Sequence, residues 1–98
     1  MKLALFVKKE CETCQLISPL VPMLQADHEM PVYSQDDPDF PASAMVTDDG
    51  SLQQSWQCRI ETVPTLIQFD TDGEEVTRLE GWDKSAWEKL IGKDRKST

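Results

Sequence analysis

Basic side chains are scarce in this sequence. Ten Lys and Arg stand against eighteen Asp and Glu, and the formal net charge is −8. Such a field repels phosphate backbones and anionic lipid surfaces over roughly 8 to 10 Å in physiological salt, so nucleic acid and membrane are not expected partners. Glycine (4) and proline (6) are also few, which excludes collagen-like and low-complexity chains. Long apolar runs are missing. Leu3 to Val7, set between Lys2 and Lys8-Lys9, is five residues long. A signal-peptide core needs about 7 to 15 such residues and a bilayer span about 20. With Met1 taken as the natural start, the expected location is the cytoplasm. Cysteines number only three, an odd count too small for a disulfide framework and suited to a reducing compartment with a dithiol kept for chemistry. Length is limiting too: 98 residues make one domain, with no room for a large cofactor cavity.

What is present is punctuated clearly. The Leu3 to Val7 run, ended by charge, fits a central strand covered on both faces. After Cys11-Glu12-Thr13-Cys14, apolar residues recur at helical spacing (Leu16, Ile17, Leu20, Val21, Leu24), with Pro19 and Pro22 inside the pattern. The spacing predicts a helix kinked near Pro19 and stopped before Met30-Pro31. Pro31 to Gln35 reads as a second strand and Asp36 to Pro41 as loop. Thr47-Asp48-Asp49-Gly50 is a turn signal, and Ser51 to Ile60 reads as a helix of about ten residues. Thr65 to Phe69 and Glu75 to Leu79 are strands joined by the hairpin signal Asp70-Thr71-Asp72-Gly73. Either Asp83 or Ser85, the latter at capping-box spacing from Glu88, would start a last helix that Gly92 ends. The expected fold class is therefore α/β, a four-stranded mixed sheet in the order β-α-β-α-β-β-α flanked by helices, with a domain at 1–92 and a polar tail at 93–98.

Cys11-x-x-Cys14 follows a strand and opens a helix, a context associated with dithiol chemistry. Two intervening residues in a first helical turn bring the second sulfur within disulfide range, while the first faces solvent and the unpaired amides of the helix start. Lys8 and Lys9 favour a thiolate and Glu10 and Glu12 oppose it; each effect is worth about 0.3 to 2 kcal/mol, so their balance stays open at this level. Cys58 reads as a small apolar residue, His28 as a solvated partner of a helix end, and the acids Asp36, Asp37, Asp39, Asp48 and Asp49 as a solvated face or as a selector of basic partners.

In four places the sequence resembles the thioredoxin superfamily: Cys11-Glu12-Thr13-Cys14 after an apolar strand, Pro19 five residues beyond the second cysteine, Thr62-Val63-Pro64-Thr65 leading into Leu66 to Phe69, and Gly81 before the last helix. The resemblance spans nearly the whole chain. It implies a thioredoxin-like fold, a cis Val63-Pro64 bond lying against the dithiol, and a surface beside it that docks the substrate. The chain also departs from that pattern. Ten residues before Cys11 leave no space for the extra strand and helix of thioredoxin proper, Leu5 stands where a buried Asp is usual, and Glu10 stands where Trp usually precedes the first cysteine.

The resemblance implies a thiol-disulfide oxidoreductase that reduces protein disulfides in cell redox homeostasis and electron transport. Cys11 is the expected nucleophile and Cys14 the resolving thiol, with Val63, Pro64 and Trp82 in substrate binding, Trp82 being equally readable as cover for the sheet edge. The redox-active Cys11–Cys14 disulfide is the only expected redox group, with no cofactor or metal. Expected partners are a disulfide-containing protein and a separate reductase or thiol as electron donor, and the chain is expected to be a monomer. A redox-regulated binding module and a glutathione-dependent, glutaredoxin-like activity are the alternatives.

Overall fold

The computed structural model describes residues 2–42 and 44–92; the tail expected at 93–98 lies outside them. Strand β1 (Lys2–Val7) leads through a short loop into α1 (Glu12–Ile17). A single 3-10 turn at Ser18–Leu20 carries Pro19, and α2 (Val21–Asp27) follows. The expected kink is thus a change of helix type at the residue that lacks an amide donor.

Strands β2 (Val32–Ser34) and β3 (Val46–Asp48) come next, then α3 (Gln53–Gln57), the hairpin of β4 (Thr65–Phe69) and β5 (Glu75–Glu80), and α4 (Lys84–Gly92). Together they form one mixed sheet in the order β3-β2-β1-β4-β5, with β1 parallel to β2, β2 parallel to β3, and the two remaining pairings antiparallel.

Alternation along β1 divides the core. Leu3, Leu5 and Val7 face a cluster that includes Ile17, Val21, Leu24, Trp87 and Leu90, so α1, α2 and α4 cover this face. Ala4 and Phe6 face the other way, joining Ile67 in a smaller cluster against which Tyr33, Cys58 and Ile60 pack. Phe6 stacks on Tyr33 with ring centroids 5.0 Å apart. A fully buried side chain of this size contributes about 1.5 to 3 kcal/mol, which makes β1 the strand on which both layers depend.

Several expectations are corrected. The sheet has five strands, not four, because Val46 to Asp48, of which Thr47 and Asp48 fall in the expected turn, pair with β2. Their side chains are half-buried or exposed, so no apolar alternation marks them, and the backbone pairing alone defines the strand. Gln25 of α2 anchors its entry: its side-chain amide accepts from the Met45 N–H at 2.8 Å and donates to the Met45 carbonyl at 2.8 Å.

Helix α3 has half the expected length. The buried Asp49 carboxylate accepts from the amides of Gln54 and Ser55 at 2.9 and 3.0 Å and so sets its start. Its end is closed by Arg59 at φ 56°, with Arg59 N–H donating to the Trp56 carbonyl and Ile60 N–H to that of Ser55. That pair of bonds is a Schellman closure, made here without glycine. Asp49 is therefore not part of a solvated face, and His28 is buried rather than solvated. At the last helix Asp83, not Ser85, is the cap, its carboxylate accepting from the Ala86 N–H at 3.1 Å. Asp83→Ala should accordingly lower the unfolding free energy by about 1 kcal/mol in urea titrations, whereas Ser85→Ala should stay within about 0.5 kcal/mol of the parent chain.

Candidate functional site

The loop Lys8 to Glu10 leaves the buried end of β1 and delivers Cys11 to the start of α1. Cys11 is the N-cap residue, extended at φ −125° and ψ 117°, and its sulfur accepts from the Cys14 N–H at 3.2 Å. The two-residue spacing therefore acts as a cap: the first sulfur satisfies an amide that the helix itself leaves unpaired, and Cys14 sits on the turn directly behind it. All three cysteines are thiols. That of Cys11 is half-exposed and donates to the Val63 carbonyl at 3.6 Å.

Cys14 is its opposite. With 0% of its surface exposed, it packs among the apolar side chains under α1. Its thiol is pushed up to about 12, chiefly by burial and then by the hydrogen bond with Cys11, against a smaller opposing effect of the Lys8 backbone. Leu5 is fully buried in the same cluster, so the place of the usual acid is filled by a hydrocarbon side chain.

The Val63–Pro64 bond is cis. Pro64 is buried, and its carbonyl accepts from the Gly81 N–H at 2.7 Å, which ties the segment before β4 to the bend before α4. Val63 and Cys11 are thus in direct contact, with Pro64 next in the chain. Trp82 follows Gly81 in the chain. It is half-buried against Trp87, the two rings 5.0 Å apart and inclined at 68°, and it joins the cover of the core.

Cys58 lies on the other face of the sheet, in the smaller cluster. Burial pushes its thiol up, with the Arg78 charge working against that shift.

Solved structures supply the comparison. The sequence matches no family model and no curated protein. Among solved structures, a DsbE protein of Chlorobium tepidum superposes with a TM-score of 0.77 at 17% identity, over 97% of this chain and 77% of that one. StoA of Bacillus subtilis gives 0.74 at 14% identity, over 92% and 80%. Thioredoxin f2 of Chlamydomonas reinhardtii gives 0.68 at 18% identity, over 96% and 78%. The chain has the thioredoxin fold. Within that fold Cys11 and Cys14 form a dithiol at the start of α1, spaced as a C-x-x-C motif.

Two further residues shape the site, and no motif marks either for that role. Asp36, two residues beyond β2, accepts from the amides of Lys9 and Glu10 at 2.7 and 3.0 Å. Parallel pairing of Val7 with Ser34 brings these two loops side by side, so the topology, once drawn, was the available signal. Trp56 on α3 is 84% exposed and lines an open groove of about 1020 Å³ that runs past Leu52, Ile60 and Thr62 to Val63. Its place in an amphipathic pattern marked it only as an apolar position.

The contrast between the two thiols has measurable consequences. Brief iodoacetamide treatment of the native reduced chain at pH 8 should modify Cys11 and spare Cys14, as read by peptide mass mapping, with all three cysteines reacting in denaturant. Folding also keeps the Cys14 proton from its ordinary value of 9.0 up to about 12. The folded chain then binds more protons than the unfolded one across that window, so stability does not depend on this group below pH 9 and falls as pH rises from 9 toward 12. Denaturant titrations should show a shallower decline over that range for Cys14→Ala than for the parent chain.

Proposed function

We propose that this protein is a thiol-disulfide oxidoreductase that reduces disulfides in partner proteins. The observation that carries the reading is the unequal pair at α1, in which one thiol is half-exposed and bonded to Val63 while the other is buried one helical turn away. As a thiolate, Cys11 attacks one sulfur of the partner's disulfide. The partner's S–S bond breaks, its second sulfur departs as a thiolate, and a mixed disulfide forms. That departing thiolate takes the Cys14 proton, since burial keeps Cys14 protonated at neutral pH and Leu5 offers no base. Cys14 then attacks the Cys11 sulfur. The partner leaves with both sulfurs reduced, and the chain is left with a Cys11–Cys14 disulfide that a separate dithiol donor or reductase must reopen by supplying two electrons.

Val63, backed by the buried Pro64, is the docking surface beside the nucleophile, flanked through Gly81 by Trp82. The groove from Val63 to Trp56 extends it in the other direction. An exposed Trp in a groove that reaches Val63, the residue bonded to the nucleophile, suits an apolar side chain of a protein substrate, because burying it upon docking removes a large aromatic surface from water. Glutathione is a poorer fit: of the two lysines preceding the motif, Lys9 is already paired with Asp37 at 3.3 Å. The three thiols suit a reducing compartment such as the cytoplasm, and the chain acts as a monomer. No helix among the described residues is long and apolar enough to cross a membrane.

Insulin reduction should proceed when a thioredoxin reductase recharges the dithiol, proceed poorly with glutathione, and stop in Cys11→Ser. Activity with neither donor, together with an unreactive Cys11, would point instead to a redox-regulated binding module. Cys14→Ser should trap a partner as a mixed disulfide through Cys11. Trp56→Ala should raise KM for a protein disulfide about five- to tenfold while leaving the rate with a small aromatic disulfide unchanged.

A further inference from the structure

Three residues separate the buried end of β1 from Cys11, and all three could swing if nothing held them. Instead the backbone of this loop is gripped from two sides. Asp36 accepts the amides of Lys9 and Glu10, one on each carboxylate oxygen, across 27 and 26 positions of sequence. From α1, the Gln15 side chain donates to the Lys9 carbonyl at 2.6 Å. A carboxylate that accepts two successive amides defines the plane of the loop more narrowly than either bond alone, because both oxygens must be met at once.

The charge that makes this grip strong is maintained. Burial by itself would raise the Asp36 carboxyl, but amide donors of Lys9, Glu10 and Asp37 and the nearby Lys8 charge outweigh it and hold it below the ordinary carboxylate range. The same negative charge reaches the dithiol, where it is one of the groups that keep Cys14 protonated.

We propose that Asp36 is the positioning residue of the dithiol: by fixing the Lys9 and Glu10 amides it holds Cys11 over Cys14 and so favours closure of the disulfide. The inference rests on the reading of Cys11 and Cys14 as a redox pair. Closure of a disulfide depends on the effective concentration of one thiol at the other, and a loosened Cys11 loop lowers it. Loss of Asp36 therefore moves the exchange equilibrium toward the dithiol.

The test is the exchange equilibrium of the full chain with oxidised and reduced glutathione, read by acid quench and mass. Asp36→Asn, nearly isosteric, and Asp36→Ala should each shift that equilibrium toward the dithiol by about threefold or more, as expected for loss of a charge-assisted pair of bonds. Asp37→Asn, which removes the partner of the Lys9 ammonium and leaves both Asp36 amide bonds in place, should stay within about twofold. A residue that merely stabilises the fold would lower the melting temperature and leave the exchange constant of the folded chain unchanged. If Asp36→Asn and Asp36→Ala both stay within about twofold of the parent, the positioning role is wrong while the redox reading stands. If the parent chain itself never closes a Cys11–Cys14 disulfide, both fall.

Discussion

Everything in this molecule hangs from β1. Its residues Leu3 to Val7 are buried on both faces, and the strand lies between β2 and β4 in the sheet. Leu3, Leu5 and Val7 bind the layer of α1, α2 and α4, while Ala4 and Phe6 bind the layer that includes the end of α3. A strand held on both faces and at both edges has no freedom at its end. The loop that leaves it must therefore start from one fixed point, and Cys11 stands only four residues beyond Val7.

From that constraint follows the inequality of the two thiols. Helix α1 packs on the β1 layer through Cys14 and Ile17, so Cys14 is consumed by the core and becomes a weak acid. Cys11, as N-cap, remains where the loop, the helix and Val63 meet. One chain segment thus presents a half-exposed sulfur and conceals its partner one turn behind. Leu5 fills with hydrocarbon the place where the resemblance leads one to expect a carboxyl, so on the proposed reading the deprotonation of Cys14 falls to the departing sulfur of the substrate.

How much of this could be read beforehand depended on the range of the interaction concerned. β1, the dithiol, the Pro19 kink and the β4–β5 hairpin are written in local patterns, and each lies where those patterns put it. β3 was not legible because an edge strand with exposed Thr47 and Asp48 carries no burial signal. The extent of α3 depended on Asp49 reaching forward to cap it and on Arg59 adopting a left-handed backbone, which a periodicity of Leu52, Trp56 and Ile60 does not reveal. Asp36 looked like one acid among many; only the parallel register of β1 and β2 separates it from Asp39 and Asp48. The deficit of basic residues remains a property of the sequence as a whole.

The most direct measurement of the central claim is a redox titration of the parent chain, followed by alkylation of the remaining thiols and intact mass. A single two-electron transition is expected, in which two of the three thiols disappear together, with Cys58 still alkylated in denaturant and peptide mapping linking Cys11 to Cys14. Three independent one-thiol modifications by the redox buffer, or a disulfide that includes Cys58, would contradict it.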